Sequence, residues 1–456
     1  MKEVSYQLLM NEIKEDMIPV KLPMGHAMTL YAIKTDRFKT GMLSASMVKA
    51  CDAVRSPQST FLLSVLKRGT QQYPSAAKLN ERLDYLYASS LSTRNYRYGD
   101  GQVIGFCTEF LDSRYLGEHV DCDTAEGCIQ LMAELMFRPL CDEDGLLSAK
   151  HVESERKVLR DMILSRKNQP SVYAQARFAE VMFVGEPCGI PLYGTEAQAE
   201  QTTRADLAQV RGLWLDTAPL DFFYIGPEEP ERIKALLEKN FSAFAPTYPS
   251  VYRAADVIRR AESVRRVTED RDVSQGKLNL GYRTDCTIMD EGFPAMALAN
   301  ELFGASPVAK LFMQVREKLG LCYSIGSSFD IYKGVMRVSC SIDPDKYSLV
   351  CEKIAEEWDK VRRGAFTEEE WQAARRSLDN SYRTIWDSPS ALEGFYYGRM
   401  LCGVGDTVED CRRRFASVTR EAVMEAASRV TLDTVYFLRG TKEVEGDDED
   451  CDEGEE

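Results

Sequence analysis

Thr60-Phe61-Leu62-Leu63-Ser64-Val65-Leu66-Lys67-Arg68-Gly69-Thr70 decides how this chain is read. The stretch is apolar and helical, and Gly69 is a natural stop for it. Thr60, Leu63 and Ser64 recur at helical spacing and share one face. None of them is an imidazole or a carboxylate. A catalytic zinc needs about three protein ligands and an open position for water. The whole chain has three histidines, His26, His119 and His151, far apart and in no His-x-x-x-His pair.

Outward from this helix, one pattern occurs twice. Leu79, Leu83 and Leu86 predict a helix over 75–87. Strands are expected over 91–98 and 102–110, around the turn Gly99-Asp100-Gly101. Helices follow over 124–137 and 146–168. In the second half a helix is expected over 293–318, and strands over 323–332 and 335–342 flank Lys333-Gly334. Helices then cover 346–363 and 367–386, the last opening with the capping box Thr367-x-x-Glu370. Helix, hairpin, helix, helix appears twice, about 230 residues apart. That repeat implies an α+β fold of two homologous domains, each an antiparallel sheet with helices packed on one face. The boundaries expected are 1–243 for the first domain, 244–266 for a linker around Pro246 and Pro249, and 267–440 for the second. Residues 441–456 form an acidic tail.

The strongest specific signal is Arg316-Glu317-Lys318-Leu319-Gly320-Leu321-Cys322-Tyr323-Ser324. It resembles the Arg-Glu-Lys-Arg-Gly-Leu-Ala-Tyr-Ser signature of the insulinase/mitochondrial-processing-peptidase family of inverted zincins. Ala309-Lys310-Leu311-Phe312 resembles that family's Ser-Arg-Leu-Phe. Ser274 to Tyr282 is similar to the strand that opens its second domain. Glu155-Arg156-Lys157-Val158-Leu159 and Pro191-Leu192-Tyr193-Gly194-Thr195-Glu196 match its last-ligand helix and the loop after it. The opening stretch aligns with the family's His-Phe-Leu-Glu-His-Met-Leu-Phe-Lys-Gly-Thr on the closing Gly-Thr. The resemblance runs in order from about residue 20 to about 430.

This resemblance implies two halves arranged as a clam shell. It also implies that the metal-binding positions are degenerate. Thr60 and Ser64 stand where the family has histidines, Leu63 where it has the general base, and Met162 where it has the third ligand, with Asp161 one residue off. Thr, Ser and Met cannot replace imidazole and carboxylate around zinc, and Leu63 cannot take a proton from water. No catalytic residue and no metal or other cofactor is therefore expected in this chain, with zinc only in a partner subunit. The family's peptide contacts fall on Lys310, where an arginine is usual, and on Tyr323. Lysine keeps the charge and loses the bidentate fork.

The reading that follows is a catalytically inactive, peptidase-like subunit. It would pair as a heterodimer with a zinc-bearing paralogue and lend it a half-site for a peptide or unfolded-protein substrate. The alternative is a non-proteolytic scaffold or peptide-binding module in a peptide-maturation or protein-modification complex. Similar zinc-less proteins occur in bacteria beside genes of both kinds.

Composition is consistent with this. With 456 residues, 44% hydrophobic and 28% charged, the chain can bury two cores. No apolar run approaches the ~20 residues of a membrane helix, and the N-terminus lacks a signal-peptide core. Thirteen scattered cysteines without a Cys-x-x-Cys pair point to free thiols in a reducing compartment, so a cytoplasmic location is expected. The net charge is -15, of which Lys442–Glu456, with ten acids and one lysine, carries -9. Such a tail is expected to be solvated. An acidic chain without a basic stripe excludes a nucleic-acid binder. His151, among charged residues, reads as a solvated face residue, and Trp358, Trp371 and Trp386 as packing.

Overall fold

A computed structural model describes residues 17–116, 122–252 and 257–441. The acidic tail lies outside them, as does His119.

The first half builds a six-stranded sheet from β1 (Val20–Met24), β2 (Met28–Lys34), β3 (Thr40–Ala50), β4 (Ser90–Tyr98), β5 (Gly101–Leu111) and β6 (Leu220–Gly226). Its order is β1-β2-β6-β3-β5-β4. The helices of this half are α1 (Arg55–Leu66), α2 (Ala76–Tyr85), α3 (Thr124–Phe137), α4 (Ala149–Lys167), α5 (Pro170–Met182), α6 (Glu196–Gln201), α7 (Arg204–Thr217) and α8 (Pro230–Asn240).

In the second half, β7 (Arg265–Arg271), β8 (Gly276–Arg283), β9 (Ser324–Asp330), β10 (Val335–Ile342) and β11 (Thr431–Gly440) form a sheet of order β7-β11-β8-β10-β9. Its helices are α9 (Phe293–Asn300), α10 (Tyr347–Arg362), α11 (Glu368–Arg383), α12 (Pro389–Leu401), α13 (Val408–Ala416) and α14 (Arg420–Ser428). Among the described residues no helix is long and apolar enough to cross a membrane.

The duplication is visible in the pairing. β2-β6-β3-β5-β4 and β7-β11-β8-β10-β9 have the same sequence of partners, and β1 is an addition. In each series the first pair is parallel (β2 with β6, β7 with β11) and the rest are antiparallel. Each sheet thus departs from a purely antiparallel one at a single pair, which joins strands far apart in sequence.

Both faces of each sheet are covered. In the first, Phe222 and Tyr224 point to their own helices, packing with Phe61, Ile129, Trp214 and Leu237. Phe223 and Ile225, next along the same strand, join the second half's core with Leu392, Phe395 and Tyr397 of α12. Reciprocally, Phe178 and Met182 of α5 pack on Val335, Tyr436 and Leu438 of the second sheet. A Cβ at Gly281 of β8 would lie 2.3 Å from the Met182 sulfur, so only glycine lets α5 this close. Each half therefore lays one helix on the back of the other's sheet.

A charged cluster locks this exchange. Lys333 Nζ lies 3.1 Å from Asp100 and 2.9 Å from Glu186. Arg283 lies 2.6 Å from Glu186 and 2.9 Å from Asp433. All five side chains are buried.

The helix expected over 293–318 is broken. Ser306 is extended, with φ -123 and ψ 161, because Pro307 drives the residue before it out of the helical region. Wide-wound turns flank the break at Glu301–Ala305 and Leu311–Lys318. The capping box at Thr367 is present. Trp358 and Trp371 are buried, and Trp386 is part-buried beneath the Arg412 guanidinium.

Candidate functional site

Asp52 starts α1 by accepting from the Val54 and Arg55 amides at 2.9 and 2.7 Å. Those hydrogen bonds, led by the one from Arg55, hold its carboxyl below the usual range. Gly69 ends the segment where a Cβ would fall 2.9 Å from the Pro74 backbone.

Thr60 is 7% exposed and is the centre of a neutral hydrogen-bond network. Its hydroxyl lies 2.5 Å from the Leu192 carbonyl and 3.1 Å from that of Ser56, and accepts from Asn95 Nδ2 at 2.9 Å. Gln102 Nε2 donates to Asn95 Oδ1 at 2.9 Å and to the Ser56 carbonyl at 3.2 Å. Thr60 thus ties α1 to β4, β5 and the loop after α5 with hydrogen bonds alone.

Leu63 is 3% exposed and packs in the first half's core. Ser64 is half-buried and donates to the Phe61 carbonyl at 2.8 Å, so its hydroxyl is satisfied within the helix. Met162 of α4 is half-buried against the same core, while Asp161 is exposed. The α1–α4 contact is kept by other groups. Arg68 pairs with the buried Glu155. Arg156 stacks on the Phe61 ring at 5.4 Å and donates to the Thr202 carbonyl at 2.9 Å. The helix frame is intact, and the groups inside it can accept or donate hydrogen bonds but cannot hold zinc or activate water.

His151 is half-buried beside Arg68 rather than on a solvated face. Burial first, then the charges of Arg68 and Lys150, lower its pKa. His26 sits in the β1–β2 turn with φ 58. Among the described residues no three His, Cys, Asp or Glu side chains gather as a metal site.

The two peptide-contact candidates differ. Lys310 is 5% exposed and its ammonium lies 2.8 Å from Glu370. Tyr323 is 52% exposed just ahead of β9, the edge strand of the second sheet, and donates to Asp343 at 2.8 Å. Asn95, Gln102 and the Leu192 carbonyl escaped sequence reasoning. Their one local signal is two uncharged amides on strands that flank a tight turn.

The family described as Peptidase M16 inactive domain matches residues 202–378. The chain is 28% identical over 417 residues to the probable inactive metalloprotease YmfF of Bacillus subtilis, covering 91% of this chain and 96% of that one. A conserved protein from Enterococcus faecalis has the same fold, with a TM-score of 0.86, 27% identity, and coverage of 93% and 99%. A peptidase M16 inactive domain from Pseudomonas fluorescens superposes with a TM-score of 0.72 at 16% identity, over 93% and 100% of the chains. The fold and the altered site define a peptidase-like protein without the peptidase's catalytic groups. Over residues 202–378 the chain matches the M16 family, and along most of its length it is similar to a relative described as a probable inactive metalloprotease.

Proposed function

We propose that this chain pairs with a zinc-bearing relative and supplies part of the peptide-binding surface. The observation that carries the reading is Tyr323. Its phenol is exposed at the head of an edge strand, within the segment that most resembles the family signature. An edge strand offers unpaired backbone groups to an extended peptide, and a flanking phenol adds a directional hydrogen bond. Lys310, buried and paired with Glu370 of α11, ties the start of the 311–318 segment that leads to this edge. Exposed Val308, Met313 and Leu319 on the same segment suit an apolar contact with a partner. Zinc and the water-activating base belong to the partner in this reading. Free thiols spread through both halves, among them Cys51, Cys128, Cys286 and Cys340, suit a reducing compartment, and we place the pair in the cytoplasm.

The test is peptide cleavage by the zinc-bearing relative with and without this chain. Addition should restore or raise cleavage. Tyr323→Phe should lower kcat/KM by about 1–3 kcal/mol while leaving the thermal transition in place. Lys310→Ala should lower it too, with Glu370→Ala as the control for the ion pair. Full activity with both Tyr323→Phe and Lys310→Ala would reject the half-site and favour the scaffold reading.

A further inference from the structure

The largest cavity described lies beside the degenerate position, between the end of α4, helix α5 and the loop 189–195. It measures about 720 Å3, within the range of small-ligand and peptide sites. Ile163, Val172, Ala176 and Leu192 give it an apolar wall, and Leu192 is the residue whose carbonyl meets Thr60.

Its charge is uneven. Arg177 is matched by Glu180 and Glu269, and Lys167 by Glu196. Arg97 instead donates to the Cys188 and Ile190 carbonyls, and Arg166 stacks on Tyr193 at 4.9 Å. Among the described residues neither guanidinium is in an ion-pair contact, although the Arg97 charge reaches the Asp330 carboxyl. At the mouth, Arg271 lies 4.2 Å above the Tyr173 ring and bonds the Lys167 carbonyl, and its Nη1 is buried without a partner. The cavity presents apolar surface and the Arg166 guanidinium, with Arg97, whose charge also reaches Asp330, on its wall and Arg271 behind Tyr173.

We propose that the chain's own acidic C-terminal segment, 442–456, docks at this cavity. The argument is where the chain leaves the body. β11 ends at Gly440, paired with Arg271, and the Thr441 amide donates to the Arg271 carbonyl at 3.0 Å. The next residue therefore starts beside the cavity mouth. Fifteen residues reach at most about 50 Å when extended, ample for this short path. They carry ten acids and one lysine, with Val444 three residues past the exit. Val444 meets the apolar wall and the acids meet Arg97, Arg166 and Arg271. The contact is largely electrostatic and weakens with salt. It shields the cavity beside the degenerate site, and it requires no second subunit.

Hydrogen exchange on the full chain tests this. Amides of 163–177 and 189–195 should exchange several-fold more slowly in the native chain than in a full-length variant whose ten tail acids are changed to Asn or Gln. Arg166→Glu, at an exposed position, should remove the difference, as should about 0.5 M salt. A synthetic 442–456 peptide should restore protection to the neutralised variant. Equal exchange in the native and neutralised chains would overturn the proposal. Protection that persists in Arg166→Glu, or that rises with protein concentration, would overturn it as well. The latter result would assign the occupant to a second copy.

Discussion

Two polar clusters hang on one hairpin, β4–β5, and they are built in opposite ways. At the base of its turn, Asn95 and Gln102 hold Thr60 through neutral hydrogen bonds. At the tip, Asp100 enters a buried set of charges with Lys333, Glu186, Arg283 and Asp433. The first lies on the helix that the sequence resemblance aligns with a metal-binding one, and its hydroxyl and amides pair with one another and with backbone carbonyls. The second joins the two halves through buried ion pairs. The fold keeps costly buried charges at its seam, while the network around Thr60 is made of hydroxyls and amides alone.

The largest effect is expected at the seam. Removing one member of a buried charge cluster leaves its partners unmatched, at a cost of about 3–5 kcal/mol. Lys333→Met should lower the denaturant midpoint accordingly, and a loss below about 1 kcal/mol would show that the cluster does not hold the halves.

Asp221 sharpens the comparison, because it lies at the same seam and, among the described residues, is in no ion-pair contact, with only the more distant Lys21 charge opposing the effect of burial. It accepts from the Tyr397 hydroxyl of α12 at 3.2 Å, and burial raises its pKa from 3.8 to about 6. The folded state therefore holds the proton more tightly than the unfolded one. Stability from this group is full below pH 3.8, declines as pH rises, and is lost above about 6. The difference amounts to about 3 kcal/mol. Asp221→Asn should raise stability by up to that amount at pH 7–8, change little below pH 4, and flatten the profile between. An unchanged profile in urea titrations would contradict the burial argument.

The degenerate position should give the smallest loss. Thr60→Val leaves the Asn95 amide short of an acceptor, at about 1–2 kcal/mol. Chemical denaturation reads this directly. A neutral substitution would mean that the network closes without the hydroxyl.

These clusters were unequally legible in the sequence. The altered helix was visible at once, because Thr60, Leu63 and Ser64 lie within five residues and a lost imidazole is unambiguous. Helix α3 and the hairpin strands also stand where periodicity and the Gly99-Asp100-Gly101 turn place them. Strand β3 was not legible. Thr-Gly-Met-Leu-Ser-Ala-Ser-Met-Val-Lys-Ala is buried on both faces, so it lacks polar alternation, and Gly, Ala and Ser are poor strand formers. The seam was invisible for another reason. Asp100, Glu186, Arg283, Lys333 and Asp433 span more than 300 residues, and each alone resembles a solvated charge. Lys333-Gly334 read as a turn, which it is, but the turn also delivers a buried ammonium. The exchange of α5 and α12 between sheets likewise depends on pairing that no local pattern records.

The most direct test of the central claim is metal content. Chain purified from its native source and dialysed against a mild chelator should retain no stoichiometric zinc and cleave no peptide when alone. One tightly held zinc per chain, bound beside Thr60 and Ser64, would contradict the account.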